Sequence, residues 1–221
     1  FMKKLSVMSI IFIFLFSLCA CNNSSTNLVK ESPAVQKSSK ILVVYFSMPE
    51  TDKPDNMSTE EANSTVVIDG KVLGNTQYVA ALIQENTNGD IFRIEPKTAY
   101  PTDHRILVEM AKEEQNRSAR PELAGKIENL TEYDTIFIGY PNWWGDMPMV
   151  MYTFFQEHDF AGKTIIPFNT HGGSGFSNTV NTIARLQPKA SVVSNGFSVS
   201  RNSVQDCAQD VSDWIKTLNL K

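Results

Sequence analysis

Cationic residues are in short supply: 20 lysines and arginines stand against 24 aspartates and glutamates over 221 residues, a formal charge of −4. Without a broad basic surface to displace counterions, nucleic acid is a poor partner for this chain. A small anion is still admissible, because a helix N-terminus can hold a phosphate with backbone amides alone. With three histidines and one thiol that is not a candidate for lipidation, the ligand set argues against a zinc site, and no metal is expected. No Walker A run is present. The esterase elbow fails on spacing, since Gly172, Gly173 and Ser174 are followed by Gly175 and Phe176. The dinucleotide fingerprint fails too, because Gly173-Ser174-Gly175 leads to Asn178 and not to a third glycine. Apolar residues make up 42% of the chain, enough for one sizeable core and little for a second.

The N-terminus carries an export pattern. Lys3 and Lys4 precede an apolar run over residues 5–20, and Leu18-Cys19-Ala20-Cys21 resembles the bacterial lipoprotein signal, with cleavage before a cysteine that takes lipid. An uncleaved anchor is the competing reading, but the run is short for a span and is interrupted by Ser9 and Ser17. Residues 1–20 are therefore expected to be a signal peptide, Cys21 the lipidation site, and the Ser/Asn-rich residues 21–39 a flexible tether. The mature chain would lose two lysines and no acid, giving 18 bases, 24 acids and a charge of −6. Cys207 would be its one free thiol, so no internal disulfide forms. Multiple acyl chains would anchor the protein to a bacterial membrane from outside the cytoplasm.

From residue 40 onward, short apolar runs alternate with segments of helical period. KILVVYFS (residues 40–47), YDTIFIGYP (133–141) and KTIIPFNT (163–170) have continuous apolar centres, as strands covered on both faces do. DIFRIEP (90–96) and ASVVSNGFSV (190–199) are more polar and suit sheet edges. Candidate helices contain Val79, Leu82 and Ile83 after Thr76; Ile106, Leu107, Met110 and Ala111 after a cap at Thr102 or Asp103; and Met151, Phe154 and Phe155 after Pro148. Two more cover residues 178–186 and 204–218. Alternation of this kind implies a parallel sheet with right-handed crossovers, and polar second and last strands give the order 2-1-3-4-5. In such a sheet ligands lie beyond the carboxyl ends of the strands, near the switch point between the first and third.

Each central strand end leads into unusual sequence. PNWWGDMP (141–148) sets two tryptophans in a loop; one is expected to roof the core while the other is left as a platform for a planar ring. THGGSGFS (170–177) has three glycines in eight residues, which lets backbone amides approach a ligand closely. After Ser47 the expected loop is interrupted. Treating residues 48–74 as an insertion joins Ser47 to Gly74-Asn75-Thr76, so that two hydroxyls and a helix N-terminus could hold a phosphate. Within the insertion, Asp69-Gly70 between Val/Ile runs marks a small hairpin.

With YFS…GNT, GYPNWWGDMP and THGGSGF in place, the chain resembles the flavodoxin family, and within it exported flavodoxin-like proteins, over residues 40–199. The resemblance implies a three-layer α/β fold over residues 40–221 and noncovalent FMN. It assigns phosphate contacts to Ser47, Asn75 and Thr76, with Met48 and Gln77 flanking. It assigns the isoalloxazine to Pro141, Asn142, Trp143, Trp144 and Gly145 on one side and Thr170, His171, Gly172 and Gly173 on the other. The chain departs from the simple pattern in its long insertion and in Asn142, where relatives often carry an apolar residue. Asp146, with the acidic composition, is expected to disfavour the anion of reduced flavin. His171 has two readings, as a proton donor to an acceptor or as a loop histidine held by backbone. The implied function is electron transfer at the outer face of a bacterial membrane, with a redox protein or a small-molecule acceptor as partner. Alternatives are an FMN-dependent NAD(P)H:quinone-type oxidoreductase and a non-redox binding lipoprotein.

Overall fold

A computed structural model of the chain describes residues 40–220, so the expected signal peptide, Cys21 and the tether lie outside the described residues. The first apolar run forms β1 (Ile41–Tyr45). The insertion then builds α1 (Thr59–Ser64), β2 (Thr65–Ile68) and β3 (Lys71–Gly74), and passes without a gap into α2 (Asn75–Thr87). The remainder reads β4 (Asp90–Arg93), α3 (His104–Asn116), β5 (Thr135–Pro141), α4 (Met149–Glu157), β6 (Thr164–His171), α5 (Thr179–Leu186), β7 (Ser191–Val192), β8 (Phe197–Ser200) and α6 (Ala208–Thr217).

Every pairing in the main sheet is parallel, in the order β4-β1-β5-β6 with β7 and β8 both beside β6. This is the 2-1-3-4-5 arrangement, with the fifth strand in two pieces. Backbone chemistry explains the break. Ile165 O accepts from Val193 N at 2.9 Å, so alternate residues of β6 face the fifth strand, and Pro167, which has no N–H to offer, is the next of them. Pairing resumes at Phe168 with Phe197.

Alternation along the strands makes two cores. Leu42, Val44, Ile136, Ile138 and Ile165 face one side, where α3, α4 and α5 contribute Leu107, Val150, Phe154 and Ile183. Val43, Tyr45, Phe137, Ile166 and Phe168 face the other, against Val79 and Ile83 of α2 and Val211 and Trp214 of α6. Helix starts follow their caps: Asp103 Oδ1 accepts from Ile106 N at 3.0 Å, and Ser58 with Glu61 forms a reciprocal capping box on α1. Of the four apolar residues expected on α3, Leu107 and Ala111 are buried, while Ile106 and Met110 remain 43% and 38% exposed.

The inserted hairpin turns at Asp69 and Gly70, whose φ values of 49° and 74° fit a two-residue turn with both centres left-handed. Val66 points into the second core, and Ile68 and Leu73 pack against it. The hairpin thus returns the chain to the end of β1.

Candidate functional site

The ends of β1, β5 and β6, with the start of α2, surround a cavity of about 270 Å³. Ser47, Met48, Asn75, Thr76, Pro141, Asn142, Trp143, Trp144, Thr170, His171 and Gly172 all line it. Three expected residues do not. Gln77 turns back so that its Oε1 accepts from Gly74 N at 3.2 Å, capping α2 from outside the cavity. Gly145 and Gly173 are spent on their own turns, their amides donating to Asn142 Oδ1 at 3.0 Å and His171 Nδ1 at 2.9 Å.

The interrupted loop closes by contact. A Cβ built on Gly74 would run into the hydroxyl of Ser47, so only glycine lets the start of α2 approach the end of β1 this closely. Thr76 and Thr170, both buried, share a hydrogen bond of 2.8 Å between hydroxyls, which ties α2 to β6 across the cavity floor. Asn75 is 4% exposed; its Nδ2 donates to Asn63 O at 2.9 Å, while its Oδ1 is one of the buried side-chain atoms without a partner among the described residues.

The tryptophans divide the two roles. Trp143 turns inward and meets Phe46 and Tyr100 edge-on, with ring centroids 5.6 and 5.5 Å away. Trp144 is 53% exposed and sits with Gly145 at the corner of a two-residue turn, closed by Trp143 N to Asp146 O at 2.8 Å and Asp146 N to Trp143 O at 3.0 Å. Its φ of 53° is costly for a bulky residue, roughly 1–2 kcal/mol. Three contacts with α3 offset that cost: Trp144 Nε1 donates to Val108 O at 3.1 Å, Gln115 Nε2 donates to Trp144 O at 3.3 Å, and the Lys112 ammonium lies 5.2 Å from the ring centroid.

Asn142 is a strap. Its Nδ2 donates to Gly175 O at 2.9 Å and Ser177 Oγ at 3.1 Å, which locks the loop after β5 to the loop after β6. Asp146 does not itself line the cavity. Its carboxylate accepts from Met147 N and from Tyr152 OH, each at 2.8 Å, and it borders a neighbouring cleft with Asn178 and Arg185. His171 accepts from Gly173 N at Nδ1, so a neutral ring carries its proton on Nε2; partial burial pushes its pKa down, in the same direction.

Several lining residues escape a strand-end reading. The insertion supplies Glu50, Asn63 and Ser64; α3 supplies His104, Leu107, Val108 and Ala111; and Arg201 follows β8. Glu50, 6% exposed, places Oε2 2.7 Å from His104 Nδ1, and its backbone N donates to Ser64 Oγ at 3.1 Å. The topology carried a signal for Arg201, because the fifth strand ends at the same rim as the others. Nothing local announced the pair of Glu50 and His104, which are 54 positions apart.

The family model "Flavodoxin" matches residues 65–218, a span that includes the hairpin but begins after β1. A solved protein of Bacteroides uniformis ATCC 8492, assigned as a flavoprotein, is 31% identical, with 81% of this chain and 99% of that one covered and a TM-score of 0.59. A similarly assigned protein of Bacteroides eggerthii DSM 20697 is 26% identical, with coverages of 83% and 100% and a TM-score of 0.59. The flavoprotein of Lactobacillus acidophilus NCFM solved in complex with FMN shares the fold at 16% identity, coverages of 80% and 99% and a TM-score of 0.53. No curated protein matches the chain.

Proposed function

The chain belongs to the flavodoxin family, and from that premise we propose that it holds FMN in the strand-end cavity and transfers electrons at the outer face of a bacterial membrane, anchored by lipid on Cys21. The observation that carries the cofactor is the start of α2. Gly74 provides no side-chain cap, so the first amides of a 13-residue helix are left for an anion at the cavity wall. Beside them the buried Asn75 Oδ1 wants a donor, and a hydroxyl-bearing chain joined to a phosphate meets both needs.

FMN supplies, when bound, the uptake and release of electrons. The protein positions and shields. Ser47, Asn75 and Thr76 would hold the phosphate end, as main-chain amides and hydroxyls that need no lysine or arginine. Trp144 would offer its exposed indole to the ring, while Pro141, Asn142, Thr170 and Gly172 would line the ring's edges. The strap from Asn142 to Gly175 keeps the two ring loops at a fixed spacing. The anchor is supported by the N-terminal pattern: two lysines, an apolar run and Cys21.

A second reading, an FMN-dependent NAD(P)H:quinone-type oxidoreductase, draws support from two imidazoles in the wall. His104 is oriented by Glu50, and His171 carries its proton on Nε2, so either could give a proton to an acceptor taking two electrons. The test begins with an absorption spectrum of the purified protein and release of its chromophore by acid. A yellow protein that yields FMN is expected; a colourless one that takes up no added FMN overturns both readings. Steady-state turnover with NAD(P)H and a quinone then separates enzyme from carrier.

A further inference from the structure

Among the described residues, the cavity wall carries one arginine or lysine, Arg201, for which the family reading has no use. Arg201 lies just past β8, and its backbone N donates to His171 O at 2.8 Å, which extends the β6–β8 ladder by one bond and fixes where the residue sits. Its side chain folds over Gly172: a Cβ at position 172 would lie 3.2 Å from both Cζ and Nη1 of the guanidinium. Glycine at 172 therefore leaves the room that the guanidinium occupies, and both residues line the cavity.

None of the ion pairs among the described residues includes Arg201. Among the described residues, the one acid in the cavity wall is Glu50, whose Oε2 lies 2.7 Å from His104 Nδ1. Asp146 faces the neighbouring cleft, and the neutral His171 adds no charge. The charge nearest Gly172 is thus a guanidinium, although the chain as a whole is acidic.

Resting on the FMN reading above, we infer that Arg201 is a tuning residue that favours the reduced cofactor. The oxidised ring is neutral. On taking up two electrons and one proton it becomes an anion, and a fixed cation beside the ring loop stabilises that form selectively. This reverses the effect that the acidic composition alone would produce.

The experiment uses the full chain loaded with FMN. Binding of oxidised FMN is measured by fluorescence quenching, and the two-electron potential by equilibrium titration with dithionite as electron donor against reference dyes. Arg201→Gln is expected to lose at least about tenfold of the preference for reduced over oxidised FMN, equivalent to a potential about 30 mV lower. Arg201→Lys is expected to stay near the wild type. Gly172→Ala, which pushes the guanidinium aside, should shift the potential in the same direction as Arg201→Gln. If Arg201→Gln binds FMN with an unchanged or raised potential, the inference falls and the FMN reading stands. If the wild-type chain binds no FMN, both fall. Measuring Kd for the oxidised form in each variant separates tuning from simple loss of affinity.

Discussion

A side chain on Gly74 would collide with the hydroxyl of Ser47, so two residues 27 positions apart form a single junction between the first strand and the second helix. Gly74→Ala is expected to cost about 1–3 kcal/mol of stability, as overpacking at a fixed contact does. It should also weaken FMN at least tenfold. Removing the opposing hydroxyl gives the decisive comparison: the double variant Ser47→Ala with Gly74→Ala should unfold closer to the wild-type temperature than Gly74→Ala alone. Additive losses would show that the junction is not the source.

The bond between Thr76 and Thr170 predicts an asymmetry. Thr76→Val leaves the Thr170 hydroxyl buried without its partner and should cost about 1–3 kcal/mol in a denaturant melt. Thr76→Val with Thr170→Val removes both polar groups and should recover much of that loss. FMN titrations should nonetheless stay weak in the double variant, because the hydroxyl of Thr76 is gone from the proposed phosphate site.

Adjacent tryptophans should separate stability from binding. Trp143→Ala empties an aromatic cluster with Phe46 and Tyr100 and is expected to cost about 2–3 kcal/mol, somewhat less than a fully buried tryptophan. Trp144→Ala removes an exposed ring from a left-handed corner and should cost under about 1 kcal/mol, yet lose most of the FMN affinity. Paired melts and fluorescence titrations check both halves.

Acid should destabilise the fold through His158. Its Nε2 accepts from Ile127 N at 3.2 Å and its Nδ1 faces Phe154 O at 2.9 Å, an arrangement that only the neutral ring satisfies. Burial pushes its pKa below that of the unfolded chain, so the unfolded state takes up the proton first. The stability it contributes is complete above the unfolded value near pH 6.5 and is lost as pH falls below it. His171 is shifted the same way, with the same sign. Melting temperatures recorded from pH 7.5 to 5 should decline, and His158→Gln should flatten part of that decline. An unchanged slope would remove His158 as its origin.

The pair of Glu50 and His104 gives the insertion an energetic role. His104→Ala should strand a nearly buried carboxylate and cost about 1.5–3 kcal/mol, while adding Glu50→Gln should recover a good part of it. Chemical denaturation of the single and double variants measures the coupling.

Much of this architecture could be read from residue order because its causes are local or periodic. Continuous apolar runs marked β1, β5 and β6, and the polar fifth strand was placed at an edge by composition. The Asp69-Gly70 hairpin and the inward and outward tryptophans followed from turn chemistry and crowding. What stayed hidden depends on who meets whom. Pro167 reads as an ordinary strand residue until its neighbour strand is known to need its missing N–H. Gln77 looked free for a ligand until the glycine before the helix left the cap to it. Ile106 and Met110 have helical spacing, but the core reaches only as far round α3 as Leu107 and Ala111. Glu50, His104 and Arg201 enter the cavity through contacts between distant segments, on which spacing is silent.

The hairpin has a thermodynamic corollary. Bringing Ser47 to Gly74 around 26 intervening residues, where a direct loop would need only a few, costs about 2 kcal/mol of closure entropy. Sinking Val66 into the second core returns about 1.5–3 kcal/mol, which matches that closure term, so the apolar face of the hairpin is what keeps the detour from loosening the junction.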